Sequence, residues 1–190
     1  MAHLEPRPAR GAGLFVRLAY RAARRRLGRV PTPVAIMAHH RAILAATGGF
    51  ELAFERAHAV EDRLKHLVMV KVASLVGCRF CIDIGEALAV DRGVTEAELR
   101  ALPFFKEEQG FTALERDALA YAVQMTETPA TPDAAVFARL REALGVPGVI
   151  ELTAAIAWEN FRARFNHAVG ATEDGFSSHV VCLLPRDDHG

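Results

Sequence analysis

Asp62-Arg63-Leu64-Lys65-His66-Leu67-Val68-Met69-Val70-Lys71-Val72-Ala73-Ser74-Leu75-Val76-Gly77-Cys78-Arg79-Phe80-Cys81-Ile82-Asp83-Ile84-Gly85 is the stretch on which the reading of this chain turns. From Asp62 to Val76 apolar residues fall on almost every helical face, the mark of a buried central helix rather than a surface one. Gly77 breaks it, and the alanine-rich run that follows makes the cysteine pair the opening of the next helix. Cysteines three apart lie on one face of a helical turn, so their sulfurs can close a disulfide or share a metal. At a helix N-terminus the orphan N–H groups and the macrodipole favour thiolate over thiol.

Outward from this stretch the pattern stays helical, with no clean alternation at period two. The predicted class is all-α. Residues 1–12 read as a flexible arm. Residues 14–27 read as a basic amphipathic helix with Leu14, Phe15, Leu18 and Ala22 inward and Arg17, Arg21, Arg24 and Arg25 elsewhere. Helices are predicted over 34–46, stopped by Gly48-Gly49, and over 50–58. The cysteine helix runs to about Asp91. Thr95 with Glu98 and Thr112 with Glu115 are capping boxes that open two further helices. Thr131-Pro132 is the expected N-cap and first residue of a helix ending near Leu144. Pro147 starts the last long one, which Gly170 stops. The expected partition is residues 1–30 as arm and basic helix and residues 31–190 as one helical domain.

Composition narrows the function classes. The 190 residues are 51% hydrophobic, enough for a sizeable core. Lys+Arg and Asp+Glu are both 23, which argues against nucleic acid as the main partner and does little to oppose self-association. Three cysteines do not make a disulfide-stapled secreted fold. The start lacks an apolar signal core, and no uncharged stretch is long enough to span a bilayer. A cytoplasmic location is expected, where a CxxC is more often catalytic or metal-binding than structural.

Three readings of Cys78 and Cys81 stand side by side. They can pack as small hydrophobes. They can bind zinc, but two more ligands are then needed; Cys182 is distant, and His39 and His40 point about 100° apart on a helix. Or one thiolate attacks an oxidised substrate and the other closes a disulfide, with His66, Asp83 or Glu86 managing protons. Asp83 and Glu86 read as solvated charges on a helix face, and Arg79 favours the thiolate.

The run from Arg63 to Cys81 resembles the signature of the carboxymuconolactone decarboxylase-like superfamily, in its alkylhydroperoxidase D-like branch. Trp158-Glu159-Asn160-Phe161-Arg162-Ala163-Arg164-Phe165-Asn166, Gly28-Arg29-Val30-Pro31 and Ala38-His39-His40 extend the resemblance over most of residues 28–180. It implies an alkylhydroperoxidase D-like helical fold, homo-oligomers (dimer, trimer or hexamer), and hydroperoxide reduction without metal or flavin. It also implies recharging by an external dithiol, with Cys81 attacking and Cys78 resolving. The family's proton relay has a Glu twelve residues before the first cysteine and a His four after the second; another His often precedes the second cysteine. Those positions hold His66, Gly85 and Phe80 here. The expectation is that Gly85 leaves a gap which the His66 ring fills, so that His66 acts as base toward Cys81, beside the plainer reading of a core histidine bonded to a backbone carbonyl. Two other functions remain: a non-redox lyase acting on a small carboxylated substrate, and a non-enzymatic redox sensor.

Elsewhere, the arginine-rich helix suits packing on the body or a neighbouring subunit, or an anionic membrane. His39 and His40 are a surface or capping pair, or border the cavity. Arg162 and Asn166 are an interior polar contact or a substrate clamp. Trp158 is a core or interface anchor. The stretch Val180-Val181-Cys182-Leu183-Leu184 is expected to dock on the body or another subunit.

Overall fold

From Leu64 to Ser74 every residue except His66 is buried, and the rest of the molecule is laid around that segment. A computed structural model describes residues 3–177. Its helices are α1 (Leu14–Leu27), α2 (Thr32–Met37), α3 (Arg41–Phe54), α4 (Asp62–Val76), α5 (Arg79–Asp91), α6 (Glu96–Ala101), α7 (Ala113–Thr126) and α8 (Ala134–Ala168), with a 3-10 turn at Leu102–Phe104. Among the described residues there is no strand. The all-α expectation holds. Cys182 and the apolar tail stretch around it lie outside the described residues.

α4 packs against α5, α7 and α8. Leu67 and Val70 face α5 and α7 in one core with Ile82, Leu99, Leu102 and Leu119. Leu64, Val68 and Val72 face α7 and α8 in another with Tyr121, Leu140, Leu152 and Ile156. Each fully buried leucine contributes roughly 1.5–3 kcal/mol through apolar area removed from water. Two lysines of this helix are buried and paired. Lys65 reaches Glu151 at 2.8 Å and the Ala57 carbonyl at 2.7 Å. Lys71 reaches the Leu102 carbonyl at 3.1 Å and lies over the Phe105 ring. Gly77 ends the helix at φ 76°, a left-handed value that glycine adopts without a Cβ penalty.

Both capping boxes form as expected. Arg63 of α4 binds both of their glutamates, Glu98 and Glu115, so one guanidinium joins the starts of α6 and α7 to the central helix. The chain leaves helical conformation at Gly145 (φ 69°, ψ 177°), and Pro147 lies in the first turn after the break, as the sequence suggested.

Several boundaries differ from the expectation. α2 starts at Thr32 and stops at Met37; His40 then caps α3, its Nδ1 accepting the Ile43 N–H at 3.4 Å. Gly48 and Gly49 lie inside α3, because glycine weakens a helix by only about 1 kcal/mol and does not end it without a cap. Asp133, not Thr131, caps α8, accepting from the Ala135 and Val136 N–H groups. α1 buries Val16 and Tyr20, while Leu14 and Leu18 are exposed. Val16 and Tyr20 pack in one core with Ala35, Met37, Ala38 and Leu44, and the arm before α1 is docked: the Tyr20 hydroxyl donates to the Arg7 carbonyl at 2.6 Å, and Arg7 bonds the backbone of Ala35 and Ala38. The His3 N–H donates to the Val169 carbonyl.

Candidate functional site around Cys81

α5 begins with the cysteine pair. Cys78 is its N-cap, and its Sγ accepts the Cys81 N–H at 3.2 Å. Both cysteines are unbridged and buried, Cys78 1% and Cys81 5% exposed. A sulfur at the N-cap serves in the place usually taken by a serine or aspartate oxygen.

Cys81 faces α8. The side-chain N–H of Asn166 donates to its Sγ at 3.3 Å. The Glu159 carboxylate interacts with the same thiol. Glu159 is 3% exposed, and its Oε2 pairs with Arg162. Its Oε1 is buried without a well-formed hydrogen bond, as is Oδ1 of Asn166. Arg162 also donates to Glu51 of α3 at 3.0 Å, and the same Glu51 oxygen accepts the Trp158 indole N–H at 2.8 Å. Trp158 is stacked between Phe50 (4.1 Å between centroids) and Phe161 (4.9 Å). A chain of polar contacts therefore runs from Trp158 through Glu51 and Arg162 to Glu159, whose charge bears on Cys81.

The electrostatics reverse one expectation. The Cys81 thiol is pushed up, not down: its contact with Cys78, burial and the Glu159 charge all raise it, and only Asn166 opposes them. The Cys78 contact and burial together outweigh the helix terminus here. Arg79, expected to favour the thiolate, is a surface side chain 3.8 Å from Glu173. Burial raises Glu159 above the ordinary carboxylate range, against the pull of Arg162.

His66 lies on α4, half-buried, and its Nδ1 is buried without a partner. Burial first, then the charges of Arg92, Arg162 and Lys65, lower its pKa to about 4 against the opposing charge of Asp62. It is neutral at physiological pH. Gly85 offers no gap for its ring. A Cβ built there comes within 3.2 Å of Val70 Cγ2, so that face is already filled by α4. Asp83 is not a solvated charge. It is 1% exposed and accepts backbone N–H groups from Asp174, Phe176 and Ser177 at 2.8–3.1 Å, holding the segment after α8. Glu86 is buried as well.

Reading the sequence did not single out Glu159 as a functional residue. It lay inside the quoted run 158–166, and its spacing does carry a signal: Glu159 and Asn166 are seven apart, two helical turns, on one face of α8. Among the described residues no cluster of three or more His, Cys, Asp and Glu side chains is arranged to hold a metal ion. No described helix is long and apolar enough to cross a membrane.

Comparison with known proteins bears on the fold. YnjA of Escherichia coli K12 is 32% identical over 123 residues, 65% of this chain and 65% of YnjA, a match just short of two thirds of that relative's length. An uncharacterized peroxidase-related protein of Ralstonia eutropha JMP134, described as an alkylhydroperoxidase AhpD core, superposes with a TM-score of 0.80 at 15% identity, over 97% of this chain and 98% of that one. The debrominase Bmp8 superposes with a TM-score of 0.79 at 23% identity, over 90% and 91%. At such identities the two structures speak for the fold alone. Residues 38–124, just under half of the chain, match the model of the carboxymuconolactone decarboxylase family, and the helical fold is alkylhydroperoxidase D-like.

Proposed function

We propose that the protein reduces small hydroperoxides with Cys81 as attacking and Cys78 as resolving thiol, and that an external dithiol recharges it. The observation that carries this reading is the setting of Cys81: a thiol with a neighbouring thiol on its own helix turn, a donor from Asn166 and a carboxylate from Glu159. Cys81 at 5% exposure suits a small oxidant rather than a bulky one. Arg162 is already held by Glu51 and Glu159, which leaves the carboxylate-binding group of a lyase engaged elsewhere. Self-assembly is part of the proposal, supported by the exposed rings of Phe50 and Phe161 beside the site.

The test is thiol titration with mass spectrometry before and after one equivalent of peroxide, followed by turnover with a dithiol. A Cys78–Cys81 disulfide and multiple turnover are expected. Disulfide formation without turnover on any dithiol would instead favour a redox sensor, and turnover of a carboxylated substrate surviving a double Cys→Ser change would favour a lyase. Bmp8 is also described with 2,3,4-tribromopyrrole, so a bromopyrrole is a second oxidant for the same assay.

A further inference from the structure

We propose that Glu159 carries the proton of Cys81, a catalytic role given by α8 rather than by the helix before the cysteines. The inference rests on the peroxidase reading only for its second half; the first half concerns the thiol alone.

The geometry supplies the parts. Glu159 stands beside the Cys81 thiol, and its Oε1 has neither solvent nor a completed hydrogen bond, although a buried oxygen without a partner costs about 1–3 kcal/mol. Oε2 is fixed by Arg162, which is itself fixed by Glu51. The free oxygen is therefore held in place, not floating. The groups that bear on Glu159 are Arg162 of α8, Glu51 of α3 and Cys81 of α5, with Cys78 against Cys81; from α4 comes His66, within the field of Arg162. Burial raises Glu159 above the ordinary carboxylate range against the pull of Arg162, and a carboxylate so raised is a better base than one in water. His66, with a pKa of about 4, is a weaker one.

The steps balance. The Cys81 S–H proton moves to Glu159 Oε1, leaving a thiolate beside the Asn166 N–H. The thiolate attacks the terminal oxygen of ROOH; the S–O bond forms, the O–O bond breaks, and sulfur loses two electrons to the peroxide. The departing RO⁻ takes the proton back from Glu159 and leaves as ROH, giving Cys81–SOH and restoring the carboxylate. The Cys78 sulfur then displaces hydroxide from Cys81–SOH, its own proton completes a water molecule, and the disulfide is closed for reduction by the dithiol.

The experiment is the pH profile of Cys81 alkylation by iodoacetamide, paired with the rate of disulfide formation by hydrogen peroxide. With an internal acceptor the proton is transferred rather than lost, so wild-type alkylation is level through the neutral range. In Glu159→Gln the proton must leave to solvent, so the rate climbs about tenfold per pH unit there. Peroxide oxidation of that variant is expected to fall about 10²–10⁴-fold. A wild-type rate that itself climbs tenfold per unit overturns the proposal and needs no variant to fold. So does a Glu159→Gln protein that alkylates faster at neutral pH, because the carboxylate would then act only as a repelling charge. A level wild-type profile with no reaction toward peroxide would keep Glu159 in this role and sink the peroxidase reading instead.

Discussion

Asn166 donates its side-chain N–H to the Sγ of Cys81 across 3.3 Å, joining positions 85 residues apart. Such a donor stabilises the thiolate more than the thiol. Replacing Asn166 with Leu is therefore expected to raise the thiol further and to slow Cys81 alkylation at fixed neutral pH by about tenfold, the lower end for a hydrogen bond to a charged group. Equal rates in the two proteins would remove the bond from the chemistry.

His66 gives a pH signature in stability. Its folded pKa is near 4 against an ordinary 6.5, so between these values the unfolded chain binds the extra proton. Stability from this group is present above pH 6.5 and is lost as the pH falls toward 4, by on the order of 2–3 kcal/mol. Asp62, Glu98 and Asp117, whose pKa values are lowered by pairing, steepen the loss at still lower pH. Urea titrations from pH 7 to about pH 4 should show a shallower decline in His66→Gln than in wild type. Parallel curves would show that the ring is not desolvated.

The same His66→Gln protein separates two routes for the thiol proton. Because the ring is so weak a base, its Cys81 alkylation rate is expected to stay within about twofold of wild type. A larger drop would return the histidine to the reaction.

Lys65 and Glu151 form a buried pair at 2.8 Å, the lysine 5% and the glutamate 6% exposed at the side chain. Lys65→Met leaves a buried carboxylate and is expected to cost about 3–5 kcal/mol. The remaining bonds from the Ala59 and Val60 N–H groups to Glu151 set the value toward the lower end. Adding Glu151→Gln should recover part of the loss in denaturant unfolding; a double variant weaker than the single one would contradict this account.

Asp83 holds three consecutive-turn N–H groups with one carboxylate. Asp83→Asn presents an amide donor to those donors and should cost roughly 1.5–3 kcal/mol. Limited proteolysis after α8 should quicken in step. An unchanged cleavage rate there would show that other contacts hold the segment, among them the Thr32–Asp174 bonds at 2.7 Å.

Sequence alone made the centre of this molecule legible, and physical reasons explain where it did not. The apolar run of α4, the glycine stop and the two capping boxes are local signals, and all appear in the fold. The inward face of α1 depended on partners that helical periodicity does not contain, Ala35, Met37, Ala38 and Leu44 together with the docked residues around Arg7. Gly48-Gly49 suggested an end, but the competing cap at His40 set the register. At the site, the cysteine spacing was plain. Its surroundings were not, because Glu159 and Asn166 come from a helix far along the chain, and the burial that raises Cys81 is a property of packing. Asp83 looked solvated for the same reason: its three partners lie about ninety residues away.

Trp158 is the chain's single tryptophan, and its indole shares one oxygen of Glu51 with Arg162. All intrinsic emission above the tyrosine band thus originates two side chains away from Glu159. The protein carries its own optical gauge: a change of oxidation state at Cys81 that shifts Arg162 alters the colour or yield of that light, readable in stopped flow without a label.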